Sequence, residues 1–185
     1  MRSLISILIL AGLLVWLNRS SSLPLARPTQ EAILAPTPIS LPSRLHIPKL
    51  NIDVPIEMVG LDSQNRMDVP KDYNQVGWYK YGPKPGETGQ AVIAGHLDTP
   101  EGPAVFAHLN QLKVDDEIFV YDQDGRQFSF KVSSFDTYPD ASFPIQKVFG
   151  TSSSPQLNLI TCEGVFDRQS KNYSLRRVIY SSLVQ

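Results

Sequence analysis

The chain has 185 residues, 42% of them hydrophobic and 19% charged, with a formal net charge of −1. That length suits one domain with a real core rather than two. A charge so close to neutral leaves no electrostatic footprint for nucleic acid or a polybasic membrane patch, and a single cysteine, Cys162, excludes an internal disulfide.

Taken in chain order, the first element is Leu4–Leu17, apolar except for Ser6 and Gly12. At about 1.5 Å per helical residue the run is short for a hydrocarbon core of about 30 Å, and its length also suits a signal-peptide core. No clean A-x-A site follows it, which favours a retained anchor over residues 1–19. The expectation is a single-pass protein of the cell membrane, with everything after Leu17 outside the cytoplasm. Residues 20–43 carry Pro24, Pro28, Pro36, Pro38 and Pro42 between serines and threonines, the composition of a semi-rigid, extended spacer. A catalytic domain is expected over 44–185.

That domain reads as mostly β. Leu45–Ile47 and Ile52–Ile56 are short strands broken by prolines. Gly77-Trp78-Tyr79 reads as part of a loop-rich stretch that ends at Gly82-Pro83, and Ala91–Ala94 as a buried strand closed by Gly95-His96. Val105–Leu112 suggests one or two helical turns. Asp124-Gly125 between Glu117–Tyr121 and Gln127–Phe135 signals a hairpin; in its second arm Phe128, Phe130 and Val132 alternate with polar residues, so one face is buried. Ser142–Gly150 predicts a short helix, with Ser142 as cap and Pro144 in the first turn. Leu157–Thr161 and Arg177–Leu183 complete seven or eight strands. So many short strands with so few helices predict an all-β fold closed, or nearly closed, into a barrel.

Three residue types carry the chemistry. Cys162 follows the apolar strand and is predicted to sit where it ends. Lone cysteines are more often inert and buried, but an exported protein that keeps an idle thiol carries an oxidation liability. Of the three histidines, His46 reads as a surface or packing residue and His108 as structural or exposed. His96 differs: it follows a buried strand and a glycine, with Asp98 two residues on, and histidine is the best proton donor to a leaving amine near neutral pH. Acyl transfer also needs fixed donors for an oxyanion. Arg176 and Arg177 open the last strand, and side-chain alternation allows only one of them to face the cleft; the simple reading of such a pair is two exposed strand-end cations. No ligand cluster has metal-binding spacing, and no cofactor is expected.

Leu159-Ile160-Thr161-Cys162-Glu163-Gly164 resembles the sortase signature T-L-x-T-C, and Ala94-Gly95-His96 the family's G-H motif. Arg176-Arg177-Val178-Ile179-Tyr180 resembles its closing R-x-hydrophobic-hydrophobic strand. The longer blocks Ala91–Asp98 and Thr161–Asp167 are most similar to the class F-like branch. Any one of these motifs is short; three in order, behind an anchor and a proline-rich spacer, are a strong signal. The resemblance implies an eight-stranded barrel with Cys162 as nucleophile, His96 as acid/base and Arg176 as oxyanion stabiliser, Arg177 being the alternative if the register slips. It implies Thr161 and Glu163 beside the substrate, Glu163 standing where a glycine is common. The implied partners are a surface-protein sorting-motif peptide, whose bond after a threonine is cut through a thioester, and an amine acceptor. It also implies that the reacting fraction pairs a thiolate with an imidazolium. A catalytically silent peptide-binding barrel and a purely hydrolytic cysteine peptidase are the alternative functions.

Overall fold

The computed structural model describes residues 37–184; the anchor over 1–19 and most of the proline-rich spacer lie outside them. Ten strands form: β1 (Pro42–Ile47), β2 (Ile52–Val59), β3 (Val76–Tyr79), β4 (Gly89–Gly95), β5 (Asp98–Thr99), β6 (Gly102–Pro103), β7 (Glu117–Asp122), β8 (Gln127–Pro139), β9 (Pro155–Asp167) and β10 (Asn172–Leu183). Eight of them close a barrel in the order β1-β2-β3-β4-β9-β10-β8-β7, while β5 and β6 form a separate ribbon. The β2–β3 and β4–β9 pairs are parallel and the remaining barrel pairs antiparallel. The all-β, eight-stranded barrel expected from the sequence is present. Ordered contacts begin upstream of Arg44: Arg126 donates to the carbonyls of Thr37 and Pro38, and Lys84 to that of Ile39.

Two apolar layers follow from strand alternation. Inside the barrel, Leu45, Ile93, Phe130, Leu157, Leu159 and Ile179 pack with Phe106 and Leu109 from the connection before β7. Outside it, Val92, Ile160 and Val178 on three adjacent strands are covered by Val148 of α1 (Ile145–Phe149). Lys147 ties that helix down, donating to Asp136 and to the Tyr138 hydroxyl, both at 2.7 Å.

Several predicted elements shift. Gly77-Trp78-Tyr79 belongs to β3, with Trp78 buried in the core, rather than to a loop; four residues flanked by polar turns are too few to show periodicity. Helix α1 starts at Ile145 rather than at Ser142, because Asp140–Ser142 form a separate 3₁₀ turn, and no side chain caps either element. Val105–Leu112 forms only a 3₁₀ turn at Leu109–Gln111. The Asp124-Gly125 hairpin is present, but β8 runs on to Pro139. Strand β9 likewise continues past Cys162 to Asp167, so the thiol lies within a strand and not at its end.

Candidate active site

The site is built by extending the outer layer one step along the strands. Val92 and Ala94 alternate on the outer face of β4, Ile160 on β9 and Val178 on β10, with Ala94 level with Ile160 and Ile160 paired with Val178. Two residues further, the same row reads His96, Cys162 and Arg176. Cys162 and Arg176 are cross-strand partners. His96 follows the last residue of β4, level with Cys162 if the parallel register is carried on, and adjacent strands lie about 4.8 Å apart. Thr161 secures this junction from beneath, its buried hydroxyl donating to the Gly95 carbonyl at 2.9 Å. Gly95 is required by packing: a Cβ there would meet the Phe106 ring at 2.5 Å.

His96 is held on both sides. Its Nε2 lies 2.8 Å from the Pro70 carbonyl, and Tyr73 packs on the ring with centroids 4.6 Å apart. A carbonyl only accepts, so Nε2 carries a proton and Nδ1 is left for proton exchange. His46 stacks near Phe119 on β7 with its Nδ1 at the Ile52 carbonyl, and His108 precedes the Leu109–Gln111 turn.

The two arginines part company. Arg176 shares the outer face with Cys162, whereas Arg177 pairs with Thr161 on the inner face. Neither is the exposed strand-end cation of the simple reading: both side chains are only 18% exposed and both lie well inside β10, which starts at Asn172. Arg177 donates through Nε and Nη2 to Glu163 Oε1, at 3.1 and 2.7 Å, and Thr137 donates to the other oxygen. Those bonds outweigh the burial of Glu163 and hold its carboxyl below the usual range. The glutamate beside the thiol is therefore neutralised by an ion pair. Two residues beyond Cys162, Gly164 takes φ +88° and its place opposite Ser174 would put a Cβ 2.5 Å from the Ser174 hydroxyl oxygen; here the β9–β10 register shifts.

Burial pushes the Cys162 thiol up, Arg176 opposes this, and Asp140 and Asp98 add to the rise. Asp98 in turn accepts a hydrogen bond from the Tyr173 hydroxyl, which lifts that phenol to about 12. Sequence reasoning did not reach Tyr73, Asp140, Asn172 or Tyr173; only Asp98 had a signal, its place two residues after His96. The cleft that touches Cys162, with Leu97, Phe106, Thr161, Glu163 and Arg177 among its walls, has about 30 Å³, room for about one water. Among the described residues, no group of three His, Cys, Asp or Glu side chains is arranged to hold a metal.

The Sortase domain family matches residues 45–184. This chain belongs to the sortase family. Its fold is similar to that of sortase A from Corynebacterium diphtheriae, at 20% identity and a TM-score of 0.60, over 80% of this chain and 62% of that one. It is also similar to sortase C1 from Streptococcus agalactiae, at 19% identity and a TM-score of 0.61, over 77% of this chain and 67% of that one. Sortase C-1 from Actinomyces oris shares 22% identity and a TM-score of 0.60, over 77% and 71% of the two chains. The sortase thus spans under two thirds of the length of the diphtherial enzyme. No curated protein sequence matches it.

Proposed function

We propose that this sortase is an active cysteine transpeptidase of the class F-like branch, with Cys162, His96 and Arg176 as its catalytic residues. The observation that carries the reading is the direct cross-strand register of Cys162 with Arg176, with His96 two residues beyond Ala94, the β4 partner of Ile160. The Cys162 thiolate attacks the carbonyl carbon after a threonine in a sorting-motif peptide, and the carbonyl π pair moves to oxygen. Arg176 and a backbone N–H near Glu163 stabilise that oxyanion. On collapse the C–N bond breaks, and the leaving amine takes a proton from the His96 imidazolium. An amine acceptor then attacks the thioester, returns a proton to His96 and releases the thiolate. Thr161 and Glu163 lie beneath the thiol, where their bonds to the Gly95 carbonyl and to Arg177 fix the strand beside which the peptide would lie.

Because burial raises the thiol, the thiolate is a minor species near neutral pH. Its pairing with an imidazolium fits the minor-fraction chemistry that the sortase resemblance implies. The N-terminal residues 1–19 would hold the enzyme on the membrane and residues 20–36 would space it outward, so that it meets surface proteins as they emerge. The test is intact mass of Cys162 after incubation with candidate threonine-containing sorting peptides, with and without added amine. A trapped thioester that amine resolves into a new peptide bond supports the proposal. A product set unchanged by amine identifies a hydrolase instead, and no His96-dependent thiol reactivity identifies a silent barrel.

A further inference from the structure

We propose that Asp140 is a positioning residue for Arg176: with Asn172 it draws the terminal nitrogens of the guanidinium away from the cleft and leaves the Nε–H edge for the substrate oxygen. This rests on the reading of Arg176 as the oxyanion donor. Strand β8 flanks β10 on the side away from β9, pairing Tyr138 with Arg176 and Pro139 with Leu175, and so delivers Asp140 beside the arginine. Arg176 Nη2 lies 2.9 Å from Asp140 Oδ1 and donates to Asn172 Oδ1 at 2.6 Å. Nη1 donates to the carbonyls of Tyr173 and Leu175, both at 2.9 Å. Asn172 is itself fixed, its Nδ2 donating to Asp140 Oδ2 at 2.7 Å. Both terminal nitrogens are thus engaged, and Nε has no hydrogen-bond partner among the described residues.

A free arginine side chain samples many rotamers. These contacts remove that freedom before the substrate arrives, which is the condition for an effective oxyanion donor. Asp140 has a second, opposing effect. Its charge acts on the Cys162 thiol together with Asp98 of β5 and with Arg176 and Tyr173 of β10. Removing the Asp140 charge therefore favours the thiolate while loosening the donor, and the two effects have opposite signs on two different measurements.

The experiment uses the full chain with two probes that need no knowledge of the sorting motif. Iodoacetamide alkylation of Cys162 against pH gives the titration midpoint of the thiol. The nitrophenolate burst from the p-nitrophenyl ester of N-acetyl-threonine gives the acylation rate. Asp140→Ala is expected to lower the alkylation midpoint and yet slow acylation by about ten- to a hundredfold, the cost of a misplaced catalytic group. Asp140→Asn, whose amide oxygen still accepts, is expected to lower the midpoint equally but to slow acylation less. Should the alanine variant fail to fold, the asparagine variant decides alone: acylation at the wild-type rate overturns the proposal. If Arg176→Ala is slow and Asp140→Ala acylates at the wild-type rate, the positioning role is wrong and the arginine reading stands. If Arg176→Ala itself acylates normally, the reading beneath the proposal fails.

Discussion

The first half of β9, Leu157–Thr161, is buried on both faces, whereas its second half, Gly164–Asp167, is exposed, although both halves pair with β10. The first half lies between the barrel interior and the α1 layer and contributes packing, with Asn158 and Thr161 bonded to the neighbouring α1 and β4 backbone. The second half leaves the body of the protein as an exposed ribbon, with Val165 and Phe166 in solvent, whose register shifts around Gly164. Cys162 and Arg176 stand at the boundary. On one side the strands are fixed by core contacts; on the other, a substrate has access. The comparison teaches why a thiol there is both desolvated and reachable: it inherits its rigidity from the buried half and its exposure from the other.

The largest effect expected from this contrast is at the boundary itself. Cys162→Ala should abolish acyl transfer while thermal melting stays near that of wild type, since the residue contributes little to either packed layer. Loss of activity together with global unfolding would instead place Cys162 in the core. Next comes the buried side. Gly95→Ala forces a methyl into the Phe106 ring and should cost about 1–3 kcal/mol by overpacking. Because His96 is the next residue, alkylation and acylation should both become less responsive to pH. Equilibrium denaturation checks the first effect and pH–rate profiles the second.

Smaller effects sharpen the comparison through electrostatics. Arg176 holds the thiol down and Asp98 holds it up. Arg176→Ala should therefore move the alkylation midpoint to higher pH, leaving less thiolate at pH 7, while Asp98→Asn should move it lower and leave more. Midpoints shifting the opposite way would mean that these groups do not face the sulfur. Arg177→Ala, which breaks the Glu163 ion pair on the inner face, should cost about 1 kcal/mol of stability, the scale of a partly exposed charged pair. Its alkylation midpoint should barely move.

What the sequence made legible follows the same boundary. The runs Ala91–Ala94 and Leu157–Ile160 showed themselves because burial on both faces demands near-continuous hydrophobicity, Asn158 being the one polar exception. The neighbouring residues His96 and Cys162 were readable through their resemblance to the sortase motifs. The polar extensions of β8, β9 and β10 were not readable, since pairing of exposed backbone leaves no periodic trace in side chains. Asp140 and Asn172 were invisible for another reason: Asp140 meets Arg176 only through the pairing of β8 with β10, Asn172 opens β10 four residues before it, and an aspartate or asparagine near a turn looks like any other turn residue. The choice between Arg176 and Arg177 needed the register itself, which alternation alone does not supply.

That choice is also where the central claim is most exposed. Single-turnover acylation of Cys162, read by intact mass for Arg176→Ala, Arg176→Lys and Arg177→Ala, tests it directly. The account predicts a loss of about 10²–10³ for Arg176→Ala, the scale of one preorganised oxyanion donor. It predicts little rescue by lysine, which lacks the planar fork, and a rate within a fewfold of wild type for Arg177→Ala. A crippled Arg177→Ala beside a normal Arg176→Ala would contradict it.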